Sequence, residues 1–165
     1  MTITAPEMTE SDHADNPTIT VRSVDQQDNS IILPQAFAIA VPDTAEADNV
    51  ISIAAPQATM IARHASGRPW LMVRMPQAYV TASTAPGTRI VAVGTCSASV
   101  EDLNRIARRG ASLSETAAEV MRFDGSFTVY ALRDATILAC GPAMQTHRVF
   151  HARIFGTTIV SDRAD

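Results

Sequence analysis

Short, strand-like segments rich in apolar residues recur from Phe37 onward, and after Gly125 the hydrophobic pattern has a period of two, as in strands that bury one face. Turn residues such as Ser66-Gly67-Arg68-Pro69 and Pro86-Gly87 separate the segments in the first half of the chain. The pattern predicts strands at 37–41, 59–64, 70–75, 79–82, 89–93, 127–132, 136–140, 148–154 and 157–161. Pro42-Asp43 marks a turn, and the stretch that follows it, as far as Gln57, gives no clear pattern.

Helical periodicity replaces this alternation between residues 97 and 121. In the first predicted helix Val100, Leu103 and Ile106 share a face, and Ser97 or Ser99 is placed to cap its N-terminus. Acidic residues lie in its first turn and arginines near its end, which complements the helix dipole. A second helix is predicted to begin at the capping box Ser112-x-x-Glu115.

The order of these elements is strands, two amphipathic helices, then strands. Such segregation favours an α+β fold with largely antiparallel sheets, one of them covered by the two helices, over a doubly wound parallel fold. A chain of 165 residues with 46% hydrophobic and 18% charged residues suits one folded domain. We expect that domain at 31–165, after a polar, mobile arm at 1–30.

Charge and cysteine content narrow the function classes. The net charge is −4 and the 13 basic residues, all arginine, are scattered, so no footprint for nucleic acid or an anionic membrane is present. The first 17 residues lack the basic and apolar regions of a secretory signal, and two cysteines far apart are typical of a reducing compartment. These features predict a bacterial, cytoplasmic protein without nucleic-acid or membrane partners.

Candidate catalytic and metal-binding residues are few. Cys96 follows a strand and precedes a helix N-terminus, where the dipole would lower a thiol pKa, although no histidine is close in sequence to act as its base. The competing interpretation is a buried structural cysteine, and it is the one we favour. Cys140, His147 and His151 could be imagined as a zinc site, but their spacing matches no zinc signature, so no metal is expected. The absence of lysine excludes a G-x-x-x-x-G-K-[ST] phosphate loop.

Two stretches carry a family resemblance. One is His-Ala-Ser-Gly-Arg-Pro-Trp-Leu at 64–71, and the other is the tail from Phe123 through Arg148-Val-Phe-His-Ala-Arg153 to Ser161-Asp-Arg-Ala-Asp165. Both resemble the N-terminal domain of bacterial asparagine-synthetase-like lasso-peptide cyclases. More distantly, Phe123-Asp-Gly-Ser-Phe127 and the strands after it resemble the glutaminase half of asparagine synthetases. The resemblance implies stacked antiparallel sheets between helical layers, as in N-terminal-nucleophile hydrolases (the class II glutamine amidotransferase fold).

The resemblance also implies an activity and partners. In the complete enzyme a C-terminal domain adenylates an Asp or Glu side chain of a precursor peptide, whose freed N-terminal amine then closes a macrolactam. An S-G-G-x-D-S type loop for ATP and Mg²⁺ should follow this domain, yet the chain as given ends at Asp165, so we expect a fragment or one subunit of a split enzyme. The implied partners are that ATP-binding domain or subunit, and beyond it the precursor peptide and its leader peptidase.

Glutamine hydrolysis in this superfamily needs a nucleophile as first residue and an Asn-Gly-Glu type strand end. Here position 2 is Thr2, on the polar arm, and the matching strand end reads Gly94-Thr95-Cys96. We therefore expect no catalytic residue, with Cys96 and Thr2 as the weak candidates, and a non-catalytic glutaminase-like scaffold. The alternative is an active amidotransferase subunit that delivers ammonia to a synthetase partner.

Overall fold

The computed structural model describes residues 36–76, 79–141 and 148–162, so the predicted arm at 1–30 lies outside the described residues. The strands are β1 (Phe37–Ala40), β2 (Thr59–Arg63), β3 (Pro69–Arg74), β4 (Val80–Ala82), β5 (Arg89–Cys96), β6 (Gly125–Arg133), β7 (Thr136–Cys140), β8 (Phe150–Ile154) and β9 (Thr157–Ser161). The helices are α1 (Ala47–Ala54), which continues into a 3₁₀ turn (Ala55–Gln57), α2 (Val100–Arg108) and α3 (Leu113–Val120).

The strands form two sheets, and all the strand pairs are antiparallel. A five-stranded sheet has the order β2-β3-β1-β9-β8, and a four-stranded sheet has the order β4-β5-β6-β7. The predicted α+β class with antiparallel sheets is therefore confirmed. The long pairing of β5 with β6 runs from Arg89↔Leu132 to Cys96↔Gly125 and forms the centre of the four-stranded sheet.

Alternating side chains give each sheet two buried faces. In β1, Ala38 and Ala40 face a core shared with Val91 and Tyr130 of the other sheet, so the two sheets pack face to face. The opposite face of β1, which includes Phe37, packs against α1. The four-stranded sheet is covered on its outer face by α2 and α3 through Ile90, Phe127, Leu103, Ile106 and Val120. The resulting layers are helix, sheet, sheet, helix.

Helix α1 occupies part of the stretch for which the sequence gave no clear pattern. Its buried residues are Ala47, Val50 and Ala54, so two of its three core contacts are alanines, which a hydrophobic pattern registers weakly. Its N-cap residue, Glu46, makes no side-chain capping hydrogen bond. The usual sequence signals for a helix are thus missing, and packing against the five-stranded sheet stabilises the helix instead.

The two predicted helices begin where the capping residues indicate. Ser99, rather than Ser97, caps α2, and Ser112 caps α3; each forms a reciprocal capping box with Asp102 or Glu115. Within the described ranges no helix has the length and apolar character needed to cross a bilayer.

Candidate functional site

The C-terminal end of β5, at Gly94-Thr95-Cys96, is where the family resemblance would place groups that orient glutamine. Gly94 has φ +123°, and a Cβ built on it would lie 2.4 Å from the Ser126 carbonyl oxygen and 2.8 Å from the Phe127 Cα. Gly125, the strand partner of Cys96, is equally crowded, with a built Cβ 2.0 Å from the Thr95 carbonyl oxygen. Only glycine fits at both positions, because every one of these close neighbours belongs to the backbone.

Cys96 does not have the environment of an activated nucleophile. Its side chain is half-buried and packs against the core beneath α2 and α3. Burial raises the pKa of the Cys96 thiol above its ordinary value, and a hydrogen bond with the Ala98 backbone offsets this only in part. The prediction that a helix dipole would lower this pKa is wrong, because Cys96 lies three residues before the N-cap Ser99 and against apolar side chains.

Ser97, which the sequence offered as an alternative helix cap, closes this end of the sheet instead. Its amide donates to the Asp124 carbonyl at 2.9 Å, and its hydroxyl accepts a hydrogen bond from the Asp124 amide at 3.0 Å. The two bonds tie the end of β5 to the entry of β6. These bonds lie next to the two glycines and hold the strand ends together there.

A polar link between the two sheets involves the tail singled out by the resemblance. The Tyr130 hydroxyl donates to the Ala38 carbonyl at 3.4 Å, and the Ala38 amide donates to Asp162 Oδ1 at 2.8 Å. Burial, and then the negative charge of Asp162, raise the pKa of Tyr130 well above its ordinary value. Tyr130 is thus a neutral hydrogen-bond donor that links β6 of the four-stranded sheet to β1 of the five-stranded sheet.

A cleft of about 920 Å³ lies elsewhere, between β2, the turn after it, and the β4–β5 turn. Its charged lining residues are Arg63, Arg89 and Asp134, and its floor includes Trp70. Buried His64 also lines it, and its Nε2 donates to the Val41 carbonyl at 2.9 Å, since a carbonyl oxygen can only accept. This hydrogen bond from His64 therefore links the residue after β1 to the wall of the cleft.

The other sequence candidates do not form a site in the described residues. Cys140 lies on β7 of the four-stranded sheet, with its thiol pKa raised by burial, and His151 lies exposed on β8 of the other sheet. His147 and Thr2 lie outside the described residues. Across the parts of the chain that the structure describes, no three His, Cys, Asp or Glu side chains come together in a way that could hold a metal ion.

Three residues of the cleft went unnoticed as candidates in the sequence: Arg63, His64 and Arg89. The sequence places Arg63 and His64 in a predicted strand, with His64 also beginning a segment that carries the resemblance, and it places Arg89 at the start of another predicted strand. One signal in the sequence could have found them. In two separate hairpins an arginine lies next to a turn that contains glycine: Arg63 at the end of one strand and Arg89 at the start of another. That signal is weak, because it depends on which strands lie at the sheet edges.

No protein-family model, curated protein or solved structure matches the chain.

Proposed function

We propose that this chain is a non-catalytic glutaminase-like scaffold domain of an ATP-dependent lasso-peptide macrolactam cyclase, with an N-terminal-nucleophile type of fold. The observation that carries the proposal is the layering of helix, sheet, sheet and helix, with β5 in the central part of one sheet and its end closed by Gly94. This is the layer order that the resemblance implies. The resembling segments also lie in the elements that build those layers: 64–71 in the β2–β3 hairpin, and 148–153 at β8.

Closure of the β5 end supports a scaffold over an active glutaminase. A glutaminase needs an amide side chain at this end to orient its substrate, and the backbone around Gly94 leaves no space for a Cβ. The nearby thiol of Cys96 has a raised pKa, so little of it is thiolate at neutral pH. Both features disfavour acyl transfer to a thiol at this position.

ATP and Mg²⁺ belong to the partner in this proposal. The chain contains no lysine for a phosphate loop, and among the described residues no group of His, Cys, Asp or Glu is placed to hold a metal ion. Activation of the precursor's carboxylate is therefore assigned to the ATP-binding domain. The chain described here supplies a rigid body on which that domain and its peptide are held.

A surface suited to such a partner lies at the β8–β9 hairpin. Phe155 is 53% exposed and Ile154 is 39% exposed, and both border an apolar groove that continues along α1. Phe155 also has φ +51°, a left-handed conformation that a bulky side chain rarely adopts. A strained, exposed aromatic residue beside an apolar groove is typical of a surface that another domain covers.

Glutamine hydrolysis distinguishes the scaffold from the amidotransferase alternative. The purified chain should release no ammonia from glutamine above a buffer blank, with or without the ATP-binding half, and it should bind no ATP-Mg²⁺. Thr2→Ala and Cys96→Ala should leave this baseline unchanged. Ammonia release that either substitution abolishes would establish the chain as the active subunit and overturn the scaffold proposal.

A further inference from the structure

The cleft of about 920 Å³ follows the edge of β2 on one side and the turn between β4 and β5 on the other. It is lined by six consecutive residues at 60–65 and six more at 82–87. Because successive side chains of a strand point to opposite faces, a cleft that touches consecutive residues runs along the edge of the strand. β2 ends the five-stranded sheet and β4 ends the four-stranded sheet, so in the described part of the chain each has a strand neighbour on one side only. An unpaired strand edge is a template for a further strand.

The charges in the cleft select the kind of ligand. Arg63 is exposed and Arg89 is half-buried, whereas Asp134 is the single acidic residue among the lining residues that the structure describes. This local excess of positive charge occurs in a chain whose net charge is −4. Arg63 donates one N–H to the Gly67 carbonyl at 2.6 Å and has others to offer. Guanidinium groups bind carboxylates in paired hydrogen bonds, so the cleft is complementary to an acidic side chain.

Trp70 forms part of the apolar wall of the cleft, together with Val91 and Leu132. Its indole is fully buried in the core between the two sheets. A segment bound in the cleft would pack against this wall and change the surroundings of the indole.

We propose that this cleft binds an extended peptide segment that carries an acidic side chain. The segment adds to the open edge of β2 through main-chain hydrogen bonds, and its carboxylate pairs with Arg63 and Arg89. Six strand residues span about 20 Å, which matches the stretch of β2 and its turn that borders the cleft. The site is separate from the scaffold role: Arg89 and Cys96 lie at opposite ends of β5, on the order of 20 Å apart, and binding requires no ATP-binding partner.

Fluorescence of Trp70 can report binding directly, because it is the chain's one tryptophan and lines the cleft. The probe is a blocked six-residue peptide of alternating threonine and valine with one central aspartate, titrated into the full chain. We expect a saturable change in emission. The matched peptide with asparagine in place of aspartate should bind about tenfold more weakly, because it loses a charge-assisted pair.

Variants and modified peptides test each element of the proposal. Arg63→Gln and Arg89→Gln should each weaken the aspartate peptide about tenfold, while Arg108→Gln, at an exposed position on α2, should change nothing. N-methylation of one alternate set of peptide amides should abolish binding, and methylation of the other set should not. The proposal is overturned if Arg108→Gln weakens peptide binding as much as the other two variants do, or if the two methylated sets have equal effects. It is also overturned if free succinate saturates the cleft as well as the peptide does, or if no peptide changes the emission of Trp70. Unchanged circular dichroism establishes that the variants are folded.

Discussion

Replacing Gly94 with alanine tests the closed end of β5 most directly. The new Cβ would lie 2.4 Å from the Ser126 carbonyl oxygen, where ordinary contact begins at 3.4 Å, so β5 and β6 must separate by about 1 Å at this point. The φ of +123° adds backbone strain that costs about 1–2 kcal/mol for a residue with a Cβ. Separation of the two strands weakens the backbone hydrogen bonds on either side of position 94, and each weakened bond costs about 1 kcal/mol of stability. With about two to three such bonds weakened, the strain and the lost hydrogen bonds together cost about 3–5 kcal/mol.

A loss of this size is a large fraction of the stability of a typical domain, about 5–15 kcal/mol. Gly110→Ala is the matched control, since Gly110 also has a positive φ, +68°, but apart from its chain neighbours no described residue has an atom within 4 Å of its built Cβ. It should cost about 1–2 kcal/mol, from backbone strain alone. Urea unfolding followed by circular dichroism measures both variants. If Gly94→Ala costs no more than Gly110→Ala, the β5 end is open and has room for an orienting side chain, contrary to our account.

Three further outcomes are expected. His64→Ala leaves the Val41 carbonyl without the His64 donor and creates a cavity, so urea unfolding should show that the free energy of unfolding falls by about 2–4 kcal/mol. The control His151→Ala, at an exposed position, should lower it by less than about 0.5 kcal/mol. Hydrogen bonds from the serine hydroxyl, and then from the serine backbone amide, lower the pKa values of Asp102 and Glu115. The stabilisation from these carboxylates is therefore present above pH about 5 and is lost as the pH falls through the lowered pKa values. Between pH 6 and pH 3 the free energy of unfolding should fall less steeply in the Asp102→Asn, Glu115→Gln double variant than in the unmodified chain, and an equal fall would contradict this. Light scattering should show that the isolated chain self-associates through the exposed Phe155 at the β8–β9 hairpin. Phe155→Asn should reduce this association without loss of stability, because asparagine tolerates a positive φ. Equal association of the variant would exclude the hairpin as the contact surface.

Strands were most readily predicted where buried and exposed residues alternate, because that alternation is visible in the sequence. Thr157–Ser161, for example, has the predicted bounds, and a shift by one residue there would reverse the buried face. Phe37–Ala40 is buried on both faces, and its continuous apolar run predicts the strand to within one residue. Tight turns helped as well: Phe155-Gly156 separates β8 from β9, and the two residues have φ values of +51° and +82°.

The missed features depend on which elements become neighbours. Helix α1 contacts the core largely through alanines and lacks a capping side chain, so its stability comes from the sheet it covers. The cleft exists because β2 and β4 both end their sheets and border the same cavity, and strand order is not encoded in local alternation. Likewise, the pKa of Cys96 depends on the core cluster beside it, which outweighs the proximity of a helix in sequence.

Peptide cyclisation by a reconstituted enzyme tests the central claim most directly. An ATP-binding half of the asparagine-synthetase-like cyclase type would be combined with ATP, Mg²⁺ and its precursor peptide from which the leader has been removed, so that the N-terminal amine is free. Glutamine and ammonia are left out, and the product is followed by mass spectrometry. We predict loss of one water from the peptide when this chain is present, and little or none when it is omitted. Equal cyclisation without the chain, or cyclisation that requires glutamine, would contradict the assignment of a non-catalytic scaffold.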